Sequence, residues 1–216
     1  MSDKREQIEL IANSGVIAIV RANSSAELID VAEAIKRGGI NVIEITMTTP
    51  NALDVIKDVS KKFAGEVLAG AGSVLDPETA RMAILAGAEF IVAPTLSFAT
   101  IALCNRYGKV VIPGTFTPTE ILSAWEAGAD FVKVFPASVG GPDYIKAVKA
   151  PLPQVLLVPT GGVDVDNAGD FLKAGATAVA IGGSLVNSKL ISARKFDEIT
   201  NTAKKLVDIV NSARGK

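Results

Sequence analysis

Asp130-Phe-Val-Lys-Val-Phe-Pro136 is an apolar run of strand character with a lysine, Lys133, at its centre. Alternation along a strand puts Phe131, Lys133 and Phe135 on one face and Val132 and Val134 on the other. Both faces are otherwise apolar, the pattern of a strand covered on both sides. Lysine is rarely fully buried without a partner or a task. Two readings are open on this stretch alone. Either the ammonium reaches solvent from a strand end, or the amine is desolvated, loses proton affinity and becomes a nucleophile of the Schiff-base kind.

Seven further stretches read as strands: 16–21, 42–46, 67–73, 90–94, 110–115, 155–160 and 178–184. Helix signals separate them. A short amphipathic helix over 4–13 ends at Asn13-Ser-Gly15. Ser24-Ser-Ala-Glu27 is a capping box opening a helix to about Arg37, where Gly38-Gly39 stops it. Thr49-Pro50 and Asp76-Pro77 read as cap-plus-proline starts, and Thr117-Pro-Thr-Glu120 is a second capping box. Gly141-Pro142 opens another helix, and a last one covers about 195–212. Strands alternating with helices predict βαβ units and parallel pairing.

A repeat runs through this pattern. Gly39-Ile-Asn-Val-Ile-Glu44, Gly87-Ala-Glu-Phe-Ile-Val92, Gly128-Ala-Asp-Phe-Val-Lys133 and Gly175-Ala-Thr-Ala-Val-Ala180 each lead from a glycine-ended helix into every second strand. Four copies of a (βα)₂ unit suit a closed sheet better than an open one. The expectation is an α/β protein, a single (β/α)₈ TIM barrel domain over 1–216 with a short extra N-terminal helix. In such a barrel Glu44, Val92, Lys133 and Ala180 share one interior layer. A carboxylate and an amine in an apolar layer could be a structural ion pair. Buried pairs stabilise weakly, however, so the pattern favours an active site.

Paired glycines end the last two strands, in Thr160-Gly-Gly-Val163 and Gly182-Gly-Ser-Leu-Val186. They are either plain turn glycines or a place where backbone N–H groups approach a phosphate, as barrels often arrange at these two loops. A helix starting at about Ser184 would add its dipole. Arg21, ending the first strand on the loop face, is the candidate cation for a substrate carboxylate.

Composition narrows the class. The 216 residues carry 22 Lys+Arg against 23 Asp+Glu, a net charge of −1, so bulk charge points to no nucleic-acid partner. The basic residues near the C-terminus, Lys204, Lys205, Arg214 and Lys216, read as a solvated helix end. Histidine is absent, which removes Ser-His and Cys-His nucleophiles and His-based metal sites. Cys104, the single cysteine, reads as a small buried hydrophobe. No secretory or membrane-spanning run is present, so the default is a cytoplasmic protein without membrane association.

These residues resemble the KDPG/KHG aldolase family over nearly the whole chain. The most specific pieces are Ile43-Glu-Ile-Thr, Gly70-Ala-Gly-Ser-Val, Pro113-Gly-Thr-Phe-Thr-Pro-Thr-Glu, Phe131-Val-Lys-Val-Phe-Pro and Pro159-Thr-Gly-Gly-Val. The resemblance implies a class I aldolase that cleaves 2-keto-3-deoxy-6-phosphogluconate or 4-hydroxy-2-oxoglutarate, a phosphorylated keto acid being the expected small-molecule partner. It implies that Lys133 forms the Schiff base, that Glu44 moves protons, and that no metal or cofactor is used. It assigns the pyruvate end to Ser73 and Pro94. Thr48 and Thr160 stand at further substrate positions. The phosphate loops become Gly161, Gly162, Gly183 and Ser184, and the oligomer a homotrimer. This sequence departs from the family pattern at Ser73, which replaces threonine, and at Thr48, where many members carry arginine. The competing readings are a phosphate-binding isomerase or epimerase, which would want a second carboxylate that the strand ends do not offer beside Glu44, and an inactive barrel used as a scaffold.

Overall fold

The expected strands form as short, fully buried segments. The computed structural model describes residues 3–21 and 25–215. The first half runs α1 (Lys4–Ser14), β1 (Val16–Val20), α2 (Ser25–Arg37), β2 (Val42–Thr46), α3 (Ala52–Lys62), β3 (Leu68–Gly72), α4 (Pro77–Ala86), β4 (Phe90–Val92) and α5 (Phe98–Arg106). The second runs β5 (Val110–Ile112), β6 (Gly114–Thr115), α6 (Pro118–Glu126), β7 (Val132–Val134), α7 (Gly141–Lys149), β8 (Leu157–Pro159), α8 (Ala168–Lys173), β9 (Val179–Ile181), α9 (Ser188–Ser192) and α10 (Phe196–Ala213).

Six strands pair in the order β5-β4-β3-β2-β1-β9 and form a half-barrel, while β6-β7-β8 make a second sheet. All named pairings are parallel. The stretch 110–115, expected as one strand, is two, because Pro113 between them has no N–H to donate. Its carbonyl still accepts from the Lys133 N–H at 2.9 Å, linking the sheets on one side. On the other side a parallel bridge joins Thr160 to Ala180, and the Thr177 N–H reaches the Leu157 carbonyl at 2.9 Å.

Alternation sorts the core as expected. Ile17, Ile19, Phe90, Phe131, Val158 and Ala180 belong to an inner apolar cluster. Their neighbours Val16, Ala18, Ile91, Val132 and Val134 pack outward among the helices. Val92 is also part of the inner cluster, on whose side Lys133 lies by alternation from Phe131. The four repeat glycines, Gly39, Gly87, Gly128 and Gly175, all adopt positive φ, between 90° and 114°. This left-handed step, cheap only for glycine, ends each helix and turns the chain into the next strand.

Three local expectations are corrected. Thr49-Pro50 does not open α3, whose N-cap is Asn51 at φ 53°; Thr49 and Pro50 lie in the preceding turn. No helix begins at Ser184, because the Leu185 and Val186 N–H groups close a turn onto the Gly182 carbonyl at 2.9 Å; α9 starts only after the Asn187 cap. The C-terminus is more than a solvated end. Lys204 and Lys205 are exposed, but Arg214 donates to the carbonyls of Ala12, Asn13 and Thr177 at 2.7–2.8 Å. Carbonyls at the end of a helix lack intrahelical partners, and the guanidinium supplies them for α1. Asp76 caps α4 and the Thr117–Glu120 box caps α6 as read from sequence, and Asp3, not singled out there, caps α1. Ser24 and Lys216 lie outside the described residues.

Candidate active site

At the C-terminal ends of the strands lies a cavity of about 310 Å³. Parallel pairing brings all the loops that follow strands to this end, where open α/β sheets and barrels place their ligands. Lys133 from β7 and Glu44 from β2 both line it, at 6% and 1% exposure. No hydrogen bond or direct ion pair joins the two, and Glu44 Oε2 is buried without a partner among the described residues. The Lys133 amine instead sits 5.0 Å from the centroid of the Phe135 ring.

Burial sets the electrostatics. It pushes the Glu44 carboxyl above the usual carboxylate range, against the pull of Lys133 and Arg21. Burial likewise lowers the Lys133 amine below its usual value, an effect opposed by Glu44 and reinforced by Arg21. Each group is therefore displaced toward its neutral form, the state in which an amine attacks a carbonyl. Gly72 makes the room that Glu44 needs, since a Cβ at that position would run into the glutamate carboxyl.

Arg21, Ser73 and Pro94 stand in the same wall. Ser73 follows β3 at φ 58°, a conformation costing a residue with a Cβ about 1–3 kcal/mol and tolerated mainly at functional positions. Thr160, Gly161, Gly162, Gly183 and Ser184 complete the other side. Thr48 does not reach the cavity wall. It is exposed in the turn after β2, with its hydroxyl 2.9 Å from that of Thr46.

Sequence reasoning left out Ile19, Phe135 and Asp164, which also line the cavity. Alternation from Arg21 and Lys133 would have supplied the first two. Asp164 corrects the expectation that Glu44 is the only carboxylate at the strand ends. One of its oxygens is already committed to the loop, accepting from the Asp166 N–H at 2.9 Å and the Asn167 N–H at 3.2 Å.

A larger cavity of about 430 Å³ opens beside α1 and the start of β3. Its Glu89 is held by Lys109 at 2.7 Å, and Lys133 and Glu44 lie outside it. Among the described residues no group of three or more Cys, Asp or Glu side chains is arranged to hold a metal ion.

Residues 8–202 match the family model for KDPG and KHG aldolase. The 2-dehydro-3-deoxy-phosphogluconate aldolase of Treponema pallidum is 35% identical over 204 residues, covering 94% of this chain and 96% of the relative. The 2-dehydro-3-deoxy-6-phosphogalactonate aldolase of Escherichia coli is 35% identical over 171 residues, covering 79% of this chain and 83% of the relative. Among solved structures, KDPG aldolase from Legionella pneumophila, with pyruvate captured as a covalent carbinolamine, superposes with a TM-score of 0.86. It is 28% identical and the match covers 92% of this chain and 97% of that one. The chain belongs to the KDPG and KHG aldolase family and is a class I aldolase, an aldehyde-lyase.

Proposed function

We propose that this aldolase cleaves 2-keto-3-deoxy-6-phosphogluconate to pyruvate and glyceraldehyde 3-phosphate, and accepts 4-hydroxy-2-oxoglutarate, giving pyruvate and glyoxylate. The observation that carries this reading is the desolvated Lys133 amine sharing one cavity with the buried Glu44 carboxyl. The neutral amine attacks the C2 ketone, giving a carbinolamine that loses water to form a protonated imine. Glu44, through a water, delivers the proton to the departing hydroxyl and later takes the proton of the C4 hydroxyl. The C3–C4 bond then breaks, its electron pair passing into the iminium to leave an enamine, and the aldehyde departs. Protonation at C3 and hydrolysis release pyruvate and return the free lysine.

Arg21 carries the substrate carboxylate in this proposal, with Ser73 and Pro94 holding the pyruvate end. Gly161, Gly162, Gly183 and Ser184 take the phosphate. The two sheets act as one closed (β/α)₈ barrel, a reading supported by the hydrogen bonds at both seams. The protein works as a cytoplasmic homotrimer. Met82 and Leu85, one turn apart on α4, with Leu75 before it and Phe98 opening α5, are exposed apolar side chains suited to a contact between copies.

The test is trapping. Incubation with pyruvate and borohydride should add a reduced three-carbon unit to the peptide containing Lys133. Labelling at another lysine, or at none, would overturn the assignment.

A further inference from the structure

We propose that Asn167 is a positioning residue that holds the Gly162–Val163 peptide of the Gly161–Gly162 loop with its N–H turned to the phosphate end of the cavity. The inference rests on the reading of that loop as a phosphate site and goes beyond it. Asn167 occupies the N-cap position of α8, where its side-chain oxygen would ordinarily accept from a free helix N–H. It makes no such bond. Its side chain turns back onto the loop instead, where Nδ2 donates to the Gly162 carbonyl at 2.9 Å and Oδ1 accepts from the Asp164 N–H at 3.0 Å. The Asn167 N–H answers by donating to Asp164 Oδ1 at 3.2 Å.

Each carbonyl of the loop is thereby occupied. That of Thr160 accepts from the Ala137 N–H at 2.8 Å, that of Gly161 from the Ser138 N–H at 2.9 Å, and that of Gly162 from Asn167. The N–H groups of Gly161, Gly162 and Val163 donate to no described residue, and all three residues line the cavity, the glycines at φ 86° and 80°. Arg21 and Lys133 are the cations of the cavity wall, and the proposed chemistry uses both. Neutral donors must then carry the phosphate, which makes their orientation decisive. The Gly162 carbonyl and the Val163 N–H share one peptide plane, so without the Asn167 amide that plane is free to rotate, turning the Val163 N–H away and presenting the carbonyl, a repulsive partner for an anion.

Two variants separate this role from general stability. Asn167→Ala removes the clamp. Asn167→Asp retains an acceptor for the Asp164 N–H but replaces the donor to Gly162 with a negative charge, so Asn167→Ala is the charge-neutral member of the pair. In both, KM for 2-keto-3-deoxy-6-phosphogluconate, or for its galactonate epimer if the wild type prefers that, should rise at least tenfold, the loss expected when a charge-assisted hydrogen bond is misaligned. The pyruvate concentration giving half-maximal borohydride trapping on Lys133 should change less than twofold. Inorganic phosphate should inhibit the wild type competitively and lose that inhibition in the variants in parallel. An unchanged KM in a folded variant, or equal losses in KM and in pyruvate trapping, overturns the inference. A wild-type enzyme that traps pyruvate but is not inhibited by phosphate overturns the phosphate reading, and a wild type that traps none overturns the functional reading itself.

Discussion

For Lys133 and Glu44 the fold makes ionisation costly in opposite senses. A buried amine resists gaining a proton and a buried carboxyl resists losing one. The lysine is displaced downward from the ordinary 10.5 and the glutamate upward from 4.5, each chiefly by burial. The consequence has a definite sign. Only the neutral amine attacks, so the rate of imine formation with pyruvate should rise with pH through a midpoint below 10.5 and level off above it. Rapid-mix borohydride trapping across pH measures it directly. A midpoint at or above 10.5 would mean that the amine remains as well solvated as a surface lysine. Arg21 acts on both groups, opposing the displacement of Glu44 by favouring the charged carboxylate and reinforcing that of Lys133 by disfavouring the charged amine. Removing it should therefore move this midpoint upward as well as weaken substrate binding.

Among the elements, β3 is the one whose sequence is most constrained by its neighbours. Gly70 lies against the Phe90 ring, and a Cβ there would meet it at 2.5 Å. Gly72 holds open the space filled by the Glu44 carboxyl. Gly72→Ala should displace Glu44 and lower kcat by about 10²–10⁴-fold, the range for a lost acid–base group, while circular dichroism stays native. Near-normal kcat in this variant would show that Glu44 has another productive position. The strands were legible because two-residue alternation and burial on both faces leave few other readings for runs such as Val16-Ile-Ala-Ile-Val20. The break at Pro113 could have been foreseen from its missing N–H. The turn at 183–185 could not, since a glycine pair followed by Ser-Leu-Val also fits a helix start, and hydrogen bonds to the Gly182 carbonyl decide between them. Lys133 and Glu44 stood out as charges within apolar strands. Asn167 did not, because an asparagine before a helix reads as an ordinary cap and only its observed partners reveal a different use.

At the scale of the whole molecule, the last helix is tied to the first. Arg214 spans the carbonyls of Ala12, Asn13 and Thr177, joining α10 to the end of α1 and to the chain entering β9. The left-handed Gly15 beside it leaves no room for a side chain, since a Cβ there would meet Val210 at 2.6 Å. Hydrogen bonds from a charged donor contribute about 1.5–3 kcal/mol each, less when partly exposed. Arg214→Ala should therefore destabilise the fold by about 2 kcal/mol, or roughly 4–8 °C in Tm for a chain of this length. Calorimetry is the measurement, and the kinetics of pyruvate trapping at 25 °C should be unaffected. A Tm within 1–2 °C of wild type would reduce the clasp to a surface contact.

Cys104 lies fully buried on α5, with its thiol pushed up to about 12 by burial, and the sequence has no other cysteine. Thiolate is the reactive form, so the native enzyme carries a sulfur that alkylating reagents and disulfide exchange do not reach. The molecule thus contains its own opening gauge. Ellman's reagent should find close to zero thiols per chain in native buffer and one in denaturant, and the slow native labelling rate should report the free energy of exposing the α5 face. A cysteine introduced at exposed Val139 would be the one labelling handle of the folded enzyme, ready for a fluorophore near the mouth of the cavity without first removing Cys104.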